Sequence, residues 1–445
     1  RRLAPCHEAM LMLQSKIKDD LDHHRWAAAT ATAEEYADAF GNDYDYRKLI
    51  AALQEKADAG IKATALGAGV NSDKGDEFAP VISADGRTLY FAGKNRSDNI
   101  GGEDVYASRL TKKGWEAATL VMDLSHTYGN EAPISISIDN NTLLLFQSGT
   151  IYQADRTGET WMLHQLPGSI NGSSWQADAM IAARGRDLVF AAKGLTDREA
   201  DSSLNLYVSH LDSHGRWGKP TELGKAINTP FDERSPYLHP DMRTLYFSSE
   251  GHGSIGQMDV YVATRIDDSW TNWSEPVNIG KEANTSGDDW GYKITTDGRK
   301  VYFARQEGKT QDIYSVALPQ RARPQRVEMV RGSIAGTDGR PIGVELRWED
   351  PATGELLGQC RSDAADGHFT IALPHGKDYC LYVHDSSFVP LSKRIELDDE
   401  GDDAGKVLPR GLQRLGAGGV AEEFDAYKLI LPLNERYAYY PEIEY

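Results

Sequence analysis

Five polar residues stand at one repeated register of the chain and are candidates to meet in space: Glu77, Asn130, Gln176, Glu233 and Asp289. They fall into line when their segments are aligned on Pro80, Pro133, Ala179, Pro236 and Tyr292. Three acids and two amides around a channel mouth would offer oxygen ligands to a hard cation, or would grip the polar groups of a small ligand. The same residue types at strand starts also cap backbone groups and hold water, and that is the favoured reading of the five. Trp175 and Trp290 lie beside two of them. Both break the Trp repeat described below, which makes them the candidate ligand-contacting aromatics.

Other chemistry is thinly represented. The Gly-x-Ser-x-Gly pattern of a nucleophile elbow is absent. His7-Glu8 lacks the second His that a zinc-protease helix needs. His23 and His24 are adjacent, so on a helix they would point about 100° apart and could not easily share an ion. No cofactor is expected. Of the histidines, His239 and His252 fall among the repeat turns without matching His in the other copies, too few for a metal-dependent lyase.

The elements that would position these residues repeat five times. A turn leads into a short apolar strand ending at Phe91, Phe146, Phe190, Phe247 or Phe303. A second strand follows, marked by Tyr106, Tyr152, Tyr207, Tyr261 and Tyr314. Most copies then carry a Trp (Trp115, Trp161, Trp217, Trp270 or Trp273), whose recurrence points to packing between neighbouring sheets. A turn such as Leu223-Gly224-Lys225-Ala226-Ile227-Asn228 ends the copy. Repeats of about fifty residues made of short strands are the mark of a β-propeller. The last copy lacks its closing turn, and Leu66-Gly67-Ala68-Gly69-Val70-Asn71 supplies a match at the other end. The N-terminal strand is therefore expected to complete the last blade and remove the open edge.

Residues 1–61 carry apolar side chains at helical spacing over three segments, starting near His7, Trp26 and Tyr46, and read as a tetratricopeptide-like segment. Residues 62–318 are the propeller. Residues 327–398 alternate apolar and polar with turns at short intervals, as a small β-sandwich does. Residues 399–445 read as a loop and tail. The chain is thus mostly β: a five-bladed β-propeller with an N-terminal α-helical segment and a C-terminal β-sandwich. Cys360 and Cys380 are close enough in sequence to pair, and two buried thiols satisfy the same sequence.

A net charge of -19 disfavours nucleic acid, whose phosphates need a basic stripe. No stretch is apolar for long enough to span a bilayer as a helix. The chain starts Arg1-Arg2-Leu3, and the sequence expectation is that any targeting segment lies upstream.

The chain resembles an envelope-protein family of Bacteroidetes-type bacteria that joins helical repeats, a TolB/WD-like propeller and a carboxypeptidase-regulatory-like domain. These proteins are OmpA-associated, PorE-like and linked to type IX secretion. The matching residues run from Phe78 to Phe91, from Gly101 to Tyr106 and from Leu223 to Asn228 in the propeller. In the sandwich they are Gly332, Gly339 to Ile342 and Asp366 to Phe369. The resemblance covers roughly residues 62–398. It implies a periplasmic or outer-membrane-associated location in a Gram-negative bacterium, and envelope or secretion-system proteins as partners. No OmpA-like sequence follows the sandwich, so peptidoglycan binding is not carried over; a lipid anchor or peptidoglycan-binding domain outside the 445 residues and a shorter branch of the family are both open. The leading functional expectation is a non-enzymatic interaction scaffold. The alternatives are a module binding glycans or other polar ligands at the channel and, behind it, a propeller-type lyase.

Overall fold

The computed structural model describes residues 6–384, 392–397, 412–413 and 427–431, except positions 59, 127, 174, 196–202 and 337. The expected loop and tail over 399–445 therefore lies outside the described residues, apart from two short strands. One of these, Tyr427–Leu431, pairs in parallel with Val327–Gly336.

The described chain is mostly β, built largely of antiparallel sheets. Five sheets follow one another between residues 64 and 317 in a propeller-like arrangement. Their inner strands are Asp76–Ile82, Glu131–Ile136, Trp175–Ile181, Glu233–Leu238 and Lys293–Ile294. Side chains from all five inner strands line one small void of about 30 Å³ on the common axis. Each inner strand turns through a tight hairpin into a central strand. Asp-Gly or Asn-rich turns fit here because positive φ is needed, as at Gly86 (69°) and Asn140 (60°). The central strands are covered on both faces, so Leu89, Phe91, Val189, Phe190, Leu245 and Phe247 are all fully buried.

The two ends of this region zip together. Thr64 pairs with Ser315 and Ala65 with Tyr314, so Thr64–Ala65 is the outer strand of the fifth sheet. Asn71 then seals the joint: its amide donates to the Ile313 carbonyl (3.0 Å) and accepts from the Ile313 N–H (2.9 Å). Asn171 makes the same pair of bonds with Ile151, Asn228 with Leu206 and Asn284 with Val260. The Asn of the repeated turn is thus a backbone surrogate that satisfies one strand residue per sheet. In the first sheet the Ser125 hydroxyl accepts from the Val105 N–H instead.

The recurrent Trp side chains pack between sheets. Trp115 meets Tyr302 edge-on at 6.3 Å, and Trp161 meets Tyr90 at 6.2 Å. Trp273 is buried among residues of the third and fourth sheets.

Four helices precede the sheets: α1 (His7–Asp22), α2 (Trp26–Glu34), α3 (Ala37–Phe40) and α4 (Tyr44–Gln54). The expected second helix is broken between Glu34 and Ala37. The third starts two residues earlier than Tyr46, because Asp43 caps it by accepting from the Tyr46 N–H. Ile17, Leu49 and Leu53 form their core, and Ile255 of the fourth sheet's loop joins it. Gly253, at φ 75°, makes the close approach possible: a Cβ there would stand 2.3 Å from the Asp45 carbonyl oxygen. Gln14 donates to the Ser254 carbonyl and Lys281 to the Leu53 carbonyl, each at 2.8 Å.

Beyond residue 326, two further sheets pack around Trp348, Phe369, Leu346 and Leu381. They sit against the hairpins at the far ends of the inner strands. Arg361 N–H donates to Asp139, Gln325 N–H to Asp241, and Gln359 N–H to the Arg184 carbonyl. Cys360 and Cys380 lie on strands either side of Glu345–Glu349, and both are free thiols.

Candidate ligand site at the mouth of the axis

The polar residues aligned in the sequence do not face an open ring. Glu77 and Glu233 are 0% exposed, Gln176 5% and Asp289 7%. Each bends back to brace the turn just before its own strand. Glu77 accepts from the Ser72 N–H and hydroxyl (3.0 and 2.7 Å), and Glu233 from the same groups of Thr229 (2.8 and 2.6 Å). Asp289 does likewise with Thr285 (2.5 and 3.1 Å). Gln176 accepts from the Ser173 hydroxyl and donates to the Gly149 carbonyl, both at 2.7 Å. A second partner arrives from the end of the central strand or the loop after it: Arg96 for Glu77 (2.6 Å) and Ser249 for Glu233 (2.8 Å).

Asn130 does not belong to this set. It is exposed, and fully buried Glu131 takes the position, accepting from the His126 N–H (3.1 Å) and the Gln147 amide (2.9 Å). The alignment slipped because Pro133 and Phe146 are not the equivalents of Pro80 and Phe91. Phe91 pairs with Tyr106 and Phe190 with Tyr207, but it is Leu145 that pairs with Tyr152. Counting back from the hairpin residues Ser83, Ser137, Ala182, His239 and Thr295 brings Glu131 into register, so the signal was in the turns.

Burial works against the charged form of Glu233 and Asp289. It pushes Glu233 up to about 8 and, with Asp259 nearby, Asp289 up to about 7. His239 and His252 are also buried and spent, against the Thr296 carbonyl (2.9 Å) and the Ile227 carbonyl (3.1 Å).

Trp175 and Trp290, by contrast, come together around a residue that sequence reasoning missed. The Arg234 guanidinium lies 4.2 Å from the Trp290 ring centre and 5.6 Å from that of Trp175. Arg234 Nε donates to Asp178 Oδ2 at 2.9 Å, and the Ser235 N–H and hydroxyl donate to the same oxygen. The terminal nitrogens of Arg234 make no hydrogen bond to a described residue, and its side chain is 21% exposed. Lys293 lies deeper, and burial lowers it to about 8 against the pull of Asp178. Burial works to raise Asp178, but Arg234 outweighs it and holds the carboxyl below its ordinary value. Arg234 and Asp178 occur in single copies of the repeat, so no periodic pattern marks them.

Trp290 also walls a groove of about 1240 Å³ between the helices and the sheets. Its other walls include Trp26 at the start of α2, Phe78 to Pro80 of the first inner strand, and Arg305. Neither surface alone makes this groove. Among the described residues, no group of three or more His, Cys, Asp or Glu side chains is placed to hold a metal, and no helix is long and apolar enough to cross a membrane.

No protein-family model and no curated protein matches the sequence. Among solved structures, the chain is similar to a protein titled glycoside hydrolase, at 9% identity and a TM-score of 0.42 over 59% of this chain and 92% of that one. It is similar to an oligogalacturonate lyase from Vibrio parahaemolyticus at 12% identity and a TM-score of 0.33, over 60% and 96%. An α-L-arabinofuranosidase from Lactobacillus brevis gives 14% identity and a TM-score of 0.36, over 57% and 95%. The expectation that the chain is not an enzyme is corrected by these findings, since the structures it resembles are enzymes by title. At such identities and scores they assign this chain no reaction.

Proposed function

We propose that this chain is a ligand-binding five-bladed propeller that takes a polar ligand at the mouth of its axis. Each of the five successive sheets is one blade, the strand Thr64–Ala65 closes the last, and the C-terminal sheets form a sandwich over the opposite end. The observation that carries the reading is the guanidinium of Arg234 between Trp175 and Trp290, fixed by Asp178. A guanidinium held at Nε and stacked on indoles has little rotamer freedom left to lose, so its terminal nitrogens can engage a ligand at low entropic cost. The test is tryptophan fluorescence across a panel of saccharides and short peptides. Binding that weakens about tenfold in Trp290→Ala supports the reading, as removal of an aromatic contact predicts. Silence across the panel, or an unaffected variant, overturns it.

A second reading concerns the setting. The helical segment and the C-terminal sheets are seated on the blades by direct hydrogen bonds, which gives a rigid three-part platform suited to protein partners. With the PorE-like resemblance, this favours an interaction scaffold of the bacterial envelope. Cell fractionation tests the location. Crosslinking in envelope extracts, with and without the helical segment, tests the scaffold.

A further inference from the structure

We propose that the groove between the helices and the blades receives a carboxylate-bearing oligosaccharide, with Arg305 reading its charge. This rests on the reading of the axial mouth as a ligand site and names the class of ligand. A typical small-molecule pocket holds about 300 to 1,000 Å³, and this groove, at about 1240 Å³, suits an extended ligand.

The charges on its walls decide the sign. Arg305 is half-buried, its guanidinium held 5.2 Å from the Phe303 ring centre and 5.3 Å from that of Tyr314. It makes no ion pair among the described residues. The groove's acids are mostly spent. Asp22 is taken by Lys18 and Ser286, Glu282 by Arg321 and the Asp58 N–H, Asp58 by the Gly60 N–H, and Asp289 by Thr285 and Tyr292. The bond from a neutral N–H leaves the charge of Asp58 in place, so Asp58 and exposed Asp288 stand against Arg305, Lys281 and exposed Lys62. A chain of net charge -19 thus presents a small local positive surplus at this groove beside its axial mouth. A half-desolvated guanidinium without a partner gains most from an anion that can accept two parallel N–H bonds.

The remaining lining suits a sugar. The indoles of Trp26 and Trp290 give flat apolar faces, and the side-chain amides of Gln306 and Gln311 supply donors and acceptors for hydroxyls. An acidic peptide is the competing ligand. It would need a free strand edge or apolar pockets for alternate side chains, and the walls are instead a mosaic of helix, loop and strand residues with long polar side chains among them.

The test uses the whole chain and two matched probes, a mannuronate hexasaccharide and mannohexaose, which differ in the carboxylates. Calorimetric titration is expected to show tighter binding of the acidic sugar, weakening as salt is raised. Arg305→Gln is expected to lower that affinity about tenfold and to leave any binding of mannohexaose unchanged. Equal affinity for the two sugars, salt-independent binding, or binding of an acidic peptide but neither sugar overturns the proposal. If mannohexaose binds and the acidic sugar does not, the ligand class is wrong while the axial-mouth reading stands. If no member of the wider panel binds, both fall. Should Arg305→Gln unfold, the salt dependence and the sugar comparison on the native chain still decide.

Discussion

The two ends of the axis are built from the same five inner strands, yet they have opposite characters. At the hairpin end, Val81, Ile136, Met180, Leu238 and their neighbours shrink the axis to a void of about 30 Å³. The C-terminal sheets cover the hairpins there through Val327, Met329 and Ala372, packed on Ala84 and Ile138. At the other end, Arg234 and Asp178 bring an ion pair into partial or full burial beside two indoles, and Lys293 lies between that pair and the void. Apolar filling is what folding favours. Buried ion pairs contribute little net stability compared with apolar packing. The contrast marks the first end as structural and the second as the place where the molecule keeps polar groups for another purpose.

The comparison can be broken most sharply at Asp178. Asp178→Ala leaves Arg234 and Lys293 without their counter-charge, and unfolding by urea should show a loss of about 3 to 5 kcal/mol. A loss near zero would mean the cluster is solvated and not a built site. At the closed end, Leu238→Ala, 1% exposed, should cost about 2 to 5 kcal/mol in the same measurement. It should leave ligand binding at the open end unaltered. Asn71→Ala strips the Ile313 N–H and carbonyl of their partners. The expected loss is about 1 to 3 kcal/mol, with the earliest protection lost in amide exchange between residues 64 and 71.

The braces of the open end carry a pH signature. Burial raises Glu233 to about 8 and Asp289 to about 7. For a carboxyl raised in the folded state, the stability is complete below its unfolded value near 4.5 and is lost as pH rises through the folded value. The melting temperature should therefore fall between about pH 5 and pH 8, and Glu233→Gln should flatten that fall. A melting temperature that rises over this window would contradict the burial argument. The smallest effect is expected at half-buried Trp175. Trp175→Ala should change stability by about 1 kcal/mol or less, while its effect on binding separates a stacking role from a filling one.

Much of the fold was legible because its cues are local and periodic. Hairpin turns, buried central strands and the Asn-bearing turn recur, so the missing turn at the end of the repeats and the match at Leu66 to Asn71 could be paired without coordinates. The candidate site was legible only in part. Trp175 and Trp290 stood out by breaking the repeat, and the structure brings them to one guanidinium. Four of the five aligned polar residues were visible for the same reason as the turns, because they brace those turns, and periodicity is a sign of scaffold. Anchoring the second copy on Pro133 and Phe146 hid Glu131, since a one-residue slip in a strand exchanges its faces. Asp178, Arg234 and Arg305 gave no signal, because each is a single departure from its repeat.

By itself the sequence determined which segments are strands, helices and turns, and that the ends of the repeat region belong together. Those properties follow from periodicity and turn chemistry, which act over a few residues. Only the tertiary structure decided which polar residues are spent on turns and which remain for a ligand. It also decided that helices and sheets enclose a groove between them. Charge pairing and enclosure depend on side chains separated by tens to hundreds of residues in the chain, and no local pattern encodes their meeting.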